Sequence, residues 1–440
     1  MDQGLLERMF KLSQKQTDVK TEMLAGLTTF VALAYIIFVN PNILADAGIP
    51  KEAAIASTIW ATALATTLMA VWANFPIAVA PGMGLNAFFA YYVVGVLNLS
   101  WQVALGAVFF SGILFLILTL GGIRQAIIKS VPLNLKCAIG VGIGLFIAFI
   151  GLKNAGIIIA DKATFVTVGH LTAKEPLLAC FGLIFTAVLM ARNVKGSMLI
   201  GIITTTILGM LVGAVPVPKG INDIISFNIP SMTPTFMQLD LVGAWQFGIF
   251  SIIFTFTIVE LFDNMGTLIG LTRKAKLMNE KGEIENLDKA LTTDAVGTLS
   301  SAVFGTSTVT SYVESAAGIA EGGKTGLTAL TVAGLFIVSL LFAPLIGLVP
   351  GFATAPALIL VGALMMAEIT HVSFTDFTDG FPAFMTIIMM PLTFSIANGF
   401  AFGFVSYTFV KVLSGRAKEV SLIMWLVSLA FLANFYMRLH

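Results

Sequence analysis

The sequence predicts an all-α polytopic membrane protein, with about fourteen transmembrane segments in two inverted seven-segment repeats. Three observations carry this. The 440 residues are 58% hydrophobic and only 11% charged, with a mean hydropathy of +0.96, whereas soluble domains are about 25% charged. Residues 53–123 and 380–410 contain no Asp, Glu, Lys or Arg. An apolar run is also interrupted at comparable places in the two halves, by proline and glycine near Pro81 and by a glycine, serine and threonine run near Thr308.

The same composition narrows the functional classes. A net charge of +1, with no basic cluster interleaved with aromatics, points away from nucleic acid. Cys137 and Cys180 lack CxxC spacing, so neither a disulfide nor a metal site is expected. His170, His371 and His440 fall outside the deep apolar stretches, which leaves no candidate for a histidine proton relay. No HExxH, GxSxG or comparable motif supports an enzyme, and no cofactor is expected.

Taken in order, residues 1–20 form a cytoplasmic N-terminal segment. They carry Arg8, Lys11, Lys15 and Lys20 but no continuous apolar core, so they are not a signal peptide. Leu5, Leu6, Met9 and Phe10 share one helical face, which predicts a short helix on the membrane surface. The first repeat covers 21–215. Segment one spans about 21–39 and ends at Asn40-Pro41; segment two spans about 53–73. In the third stretch, IAVAPGMGLNAFFAYYVVG, Pro81, Gly82 and Gly84 break the run before a new helix near Asn86. Broken backbone is tolerated inside a membrane where it lines a protein-enclosed cavity. An ordinary surface turn would read the same way, but the second interrupted stretch favours the cavity. Segments four to seven follow at about 101–120, 138–152, 176–191 and 197–215, with Arg124, Lys129, Lys136, Arg192 and Lys195 marking cytoplasmic loops.

The proline-rich connection 216–240 separates the halves, and the second repeat covers 241–440. Segment eight contains FTFTIVELFDNMGTLIG, residues 254–270, and a charged loop, 273–289, follows it. Segment nine, about 290–304, leads into the second interrupted stretch, 305–326, counted as segment ten. Segment eleven is about 327–348, and Val349-Pro350 precedes segment twelve as Val131-Pro132 precedes segment five. Residues 382–412 read as one long segment or as two broken at Asn398-Gly399. Residues 420–436 either cross once more or lie along the interface.

The candidate site is built from acids within these segments. Glu260 and Asp263, three apart with Asn264 beside them, are expected on one face of segment eight. An unpaired carboxylate in hydrocarbon costs about 2.5 kcal/mol or more, so such acids usually face a cavity and handle ions, protons or substrate. In segment ten, Thr306, Ser307, Thr308, Thr310, Ser311 and Ser315 surround Glu314. An extended piece there can pair with its counterpart in segment three, and a half-helix starting near Tyr312 would point free N–H groups inward. Asn86 holds the comparable place in the first repeat, and Gly84 is expected to let its backbone approach the partner strand and the ligand. The expected substrate-binding set is therefore Gly84, Asn86, Glu260, Asp263, Glu314 and Ser315. Such carboxylates and amides can bind a flat heterocycle edge-on, and desolvation favours the protonated form of a carboxylate. Glu260, deepest in apolar sequence, is the expected proton carrier, with Asp263 its competitor. The absence of a nearby cation counts against an anion exchanger or channel.

Four motifs, TEMLAGLTTFVALAYIIFVNP, APGMGLNAFFAY, VELFDNMGTLIG and TSTVTSYVESAAGIAEGGKTGLTAL, closely resemble the AzgA-like purine permeases. These are a branch of the nucleobase–cation symporter family with the uracil-permease fold. The resemblance runs over nearly the whole chain. It implies a core domain (segments one to four and eight to eleven) and a gate domain from the rest, with elevator-type alternating access. It also implies proton symport of guanine or hypoxanthine, or of adenine in another subgroup. Its site positions fall on Gly84, Asn86 and Glu314. The eighth-segment motif usually written D-x-F-D has Glu260 first and Asp263 last. The expected partners are a purine nucleobase, protons and lipid, a homodimer being compatible with this, in the cell membrane.

Overall fold

Backbone N–H and C=O groups inside a bilayer have no water to bond, so a spanning chain satisfies them by helices wherever it can. The computed structural model describes residues 5–121, 130–248, 252–275, 277, 284 and 286–439. Arg124, Lys129 and residues 276, 278–283 and 285 of the expected loop 273–289 lie outside these residues. Eight described helices are long and apolar enough to cross a membrane, and four more apolar helices are shorter.

In chain order, α1 is Leu5–Phe10, α2 Val19–Leu33, α3 Ile36–Asp46 and α4 Lys51–Leu68, which runs on as a π-turn over Met69–Ala73. Strand β1, Val79–Pro81, leads into α5, Met83–Ala87, and a π-helical continuation, Phe88–Val96; α6 is Trp101–Leu120 and α7 Leu133–Asn154. A hairpin, β2 Ile158–Asp161 and β3 Phe165–Val168, precedes α8, Lys174–Ala191, and α9, Ser197–Leu211. The second half opens with α10, Leu241–Gly248, α11, Phe254–Lys274, and α12, Leu287–Phe304. Then come β4, Val309–Ser311, α13, Ser315–Ala320, α14, Gly326–Ser339, and α15, Ala343–Leu348. The chain ends with α16, Gly351–Met365, α17, Phe377–Leu392, α18, Ile396–Leu413, and α19, Leu422–Leu439.

Several boundaries differ from the sequence expectation. Segment one does not end at Asn40-Pro41: Pro41 sits inside α3, and the interruption falls earlier, at Ala34 and Tyr35. Proline removes one helical hydrogen bond, and a surrounding bundle can absorb that loss. The polar stretch after α7 carries the β2–β3 hairpin. The break after α17 falls at residues 393–395, not at Asn398-Gly399. Phe394 there has a positive φ of 52°, and the Ser395 hydroxyl accepts from Asn398 N at 3.2 Å. Residues 422–439 form one helix that packs on α18. Of the expected surface helix only Phe10 is buried, whereas Leu5, Leu6 and Met9 stay exposed.

Packing sorts the elements into two groups. α2 to α6, α10 to α15, β1 and β4 contact chiefly one another, as do α7 to α9 and α16 to α19. The groups meet where α3 touches α16, α2 touches α9 and α5 touches α7. Residues 216–240 are irregular and tied to the first group: Ser226 N donates to Leu341 O, Met237 N to Val303 O and Asp240 N to Gln102 O, at 2.8, 2.8 and 3.0 Å.

Candidate functional site

The two interrupted stretches meet. β1 and β4 pair antiparallel, with Val79 opposite Ser311, Ala80 opposite Thr310 and Pro81 opposite Val309. Gly82 N donates to Thr308 O at 3.0 Å and Tyr312 N to Ala78 O at 2.9 Å. Flanking side chains take the remaining backbone groups. The Thr66 hydroxyl accepts from Val79 N and donates to Val79 O, at 3.0 and 2.9 Å. Asn264 Oδ1 accepts from Ser311 N at 3.0 Å, and Ser315 Oγ accepts from Ala78 N at 3.0 Å. The Tyr312 hydroxyl donates to Pro81 O. Helices on both sides thus supply what the broken helices lost.

The six expected site residues separate into two kinds. Asp263 and Glu314 come together: Asp263 is hydrogen-bonded to the Thr310 side chain and lies close enough to Glu314 for their charges to interact. Both are only partly buried. Glu314 Oε1 accepts from the Tyr35 hydroxyl at 2.6 Å. The other four are engaged in holding the site together. Glu260 is fully buried and accepts from Thr298 Oγ1 on α12 at 2.6 Å. Glu260 and Asp263 thus bond different partners, Thr298 and Thr310, from one continuous helix. Asn86 is fully buried: Nδ2 donates to Asn40 Oδ1 at 2.6 Å, and Oδ1 accepts from the Ser307 hydroxyl. Asn40 in turn donates to Thr58 and Thr306, at 2.7 and 3.0 Å. Ser315 is spent on the β1 backbone.

Gly84 also has a different neighbour. A Cβ there would sit 2.7 Å from Ile143 Cγ2 on α7, so Gly84 marks close packing of α5 on α7. The approach to the partner strand belongs to Gly82, whose added Cβ would meet Thr310 Cγ2 at 3.0 Å. The half-helices likewise start elsewhere, at Met83 instead of near Asn86 and at Ser315 instead of near Tyr312. α13 has only six residues, too few to act as a directed N-terminal field. Gly305, at φ +94°, turns the chain out of α12 into β4 in a conformation that side chains rarely adopt.

Sequence reasoning missed Asp294, fully buried on α12, whose carboxylate accepts from Ser311 Oγ at 3.2 Å to each oxygen. Its signal was available, since it is a lone acid within the apolar run 290–304. Tyr35 and Asn40 had no comparable signal, because aromatic and amide residues recur along the chain. Among the described residues, Asn264 Nδ2 and Thr308 Oγ1 are buried around β4 without a hydrogen-bond partner. The arrangement offers two adjacent carboxylates, a spare amide donor and a spare hydroxyl at a strand crossing enclosed by helices. That set can take the hydrogen-bonding edge of a small polar ring.

Comparison with known proteins fits this geometry. The model of the Permease family (Xan_ur_permease) matches residues 20–402. The chain is 44% identical over 430 residues to the adenine permease AdeP of Escherichia coli, covering 98% of this chain and 96% of that one. It is 43% identical over 420 residues to the guanine/hypoxanthine permease PbuO of Bacillus subtilis, covering 94% and 96%. Among solved structures it resembles the transmembrane domain of the cyanobacterial bicarbonate transporter BicA. The TM-score is 0.65 at 16% identity, over 86% of this chain and 97% of that one, a likeness of fold. The chain therefore belongs to the Permease family, in its AzgA-like purine-permease branch, and is a multi-pass membrane transporter, not an enzyme.

Proposed function

We propose that the chain imports purine nucleobases across the cell membrane by proton symport, with guanine or hypoxanthine favoured. The observation that carries this is the meeting of Asp263 and Glu314 at the β1–β4 crossing. Ionised carboxylates only accept hydrogen bonds, so they suit a ring edge rich in N–H groups, such as that of guanine. Asp263 and Glu314 touch the base. Asn86, Gly84 and Ser315 hold the crossing that positions them. Glu260, enclosed between α11 and α12, carries the proton, with Asp263 as the competing carrier. The relatives include adenine permeases at nearly the same identity, so an adenine permease is the second reading.

The proposed topology places the N-terminus in the cytoplasm and divides the chain into two inverted repeats, 21–215 and 241–440, joined by 216–240. The origin of β1 and β4 from corresponding places in the halves supports this. The group containing the site acts as a core that slides against the other group as a gate, an elevator movement supported by the division of packing contacts. The test is uptake of radiolabelled guanine, hypoxanthine, adenine, xanthine and uracil, with and without a protonophore. Protonophore-sensitive guanine and hypoxanthine uptake is expected. Adenine alone selects the second reading, and no purine uptake overturns both.

A further inference from the structure

We propose that Tyr35 is a positioning residue of this site, whose hydroxyl holds Glu314 Oε1 and leaves Oε2 to accept a ring N–H of the substrate. The inference rests on the reading of Glu314 as a substrate contact. Tyr35 is 1% exposed, and its hydroxyl lies 2.6 Å from Glu314 Oε1. It also stands where segment one stops being a regular helix. Ala34 N still donates to Phe30 O, but Ile37 N reaches only to Ala34 O and Phe38 N only to Tyr35 O, both at 3.1 Å. That interruption falls near the middle of a span running from Val19 to Asp46. Irregular backbone at membrane depth persists where protein surrounds it, and here it faces the site acid.

The distance between the two groups is set by close backbone packing. An added Cβ at Gly318, in the half-helix after Glu314, would lie 2.3 Å from Ala25 O on α2. Further along, the Glu22 carboxylate accepts from Lys324 N, Thr325 N and Thr328 N, at 2.9, 3.2 and 3.3 Å. Segment one therefore packs against α13 itself and against the chain just beyond its C-terminal end, and Tyr35 meets Glu314 without needing to move. The neighbouring Tyr312 hydroxyl is committed to Pro81 O. Phenol to carboxylate is a short, charge-assisted contact that fixes direction as well as strength.

The experiment is Tyr35→Phe, which keeps the ring and removes the donor, read by uptake kinetics and by competition with ring N-methylated derivatives of the transported purine. In the wild type, the derivative whose methyl replaces the N–H meeting Glu314 fails to compete. In Tyr35→Phe, the KM for the parent purine is expected to rise about tenfold with Vmax within about twofold. The derivatives should compete with the variant as they do with the wild type, so that discrimination narrows. A KM equal to wild type, a fall in Vmax alone, or equal weakening of parent and derivatives would overturn the inference. Glu314→Gln run in parallel separates the two claims. If Glu314→Gln transports normally, the reading of Glu314 fails and this inference with it. If Glu314→Gln is inactive while Tyr35→Phe is normal, only the role of Tyr35 fails.

Discussion

At the scale of single residues, Glu314 and Gly84 make opposite demands, one for charge and one for space. Glu314→Gln keeps the size of the side chain but replaces one acceptor oxygen with a donor, so it cannot receive Tyr35 and a ligand N–H on separate oxygens. Purine uptake by this variant is expected to fall at least about thirtyfold at unchanged membrane abundance, checked by initial rates against immunodetected protein. Gly84 must be small because Ile143 Cγ2 already occupies the place of a Cβ, at 2.7 Å. Gly84→Ala should lower uptake and Gly84→Val should nearly abolish it, since overpacking costs about 1–3 kcal/mol and the strain falls on the α5–α7 contact. Equal uptake by the two variants would mean that this contact opens freely. Both positions were legible in the sequence as residue types, one an acid in a run of serines and threonines and one a glycine three residues after a proline. The neighbours that give them their roles were not, because contacts such as Tyr35–Glu314 join residues far apart in the chain.

At the scale of elements, the interrupted stretches were legible because Pro81, Gly82 and the polar run from Thr306 to Ser311 stand out against apolar surroundings. Their register was not, because it depends on Thr66, Asn264 and Ser315 reaching in from other elements. The turn between α17 and α18 was misplaced because Asn-Gly drew attention from Ser395, the residue that caps α18. That turn lies in a region closed by charge at its other end. Arg416 donates to both Glu419 oxygens, at 2.6 and 2.9 Å, and to Asp376, while Lys411 reaches Glu419 at 2.8 Å and Asp379 at 3.0 Å. The Arg416 hydrogen bonds, followed by Lys411, lower the Glu419 carboxyl from 4.5 to about 2, and Arg416 holds Asp376 well below the usual carboxylate range. A group held low stabilises the folded protein above its ordinary pKa and stops doing so as pH falls through the folded value. The melting temperature of the purified protein should therefore drop as pH is taken from 4.5 to about 2. Arg416→Met should flatten that dependence, and an unchanged slope would show that the cluster is not coupled to folding. The effect is modest, because the carboxylates of the cluster are part-exposed and screened by solvent.

At the scale of the whole molecule, the proposed elevator movement requires the two packing groups to slide without losing the proposed coupling between proton and substrate. Glu260 sits inside the first group, bonded to Thr298, with Asp294 also on α12. Glu260→Gln, fixed in a neutral form, is expected to keep substrate exchange but to lose accumulation against a gradient. Counterflow measured beside pH-driven uptake in vesicles checks this. If the variant still concentrates purine in response to pH, Asp263 or another acid carries the proton. The exposed Lys195–Glu321 pair joins the α8–α9 loop to the end of α13, and so bridges the two groups on one side. The β1–β4 crossing also bears on how the chain is made. Val79–Pro81 leaves the ribosome about 230 residues before Val309–Ser311, an interval of roughly 10–50 s at ordinary rates of synthesis. Until then, the backbone of the first stretch has the Thr66 hydroxyl but not its strand partner, and each unmet group in hydrocarbon costs several kcal/mol. The pairing of the first stretch is therefore completed only when the second half has been made.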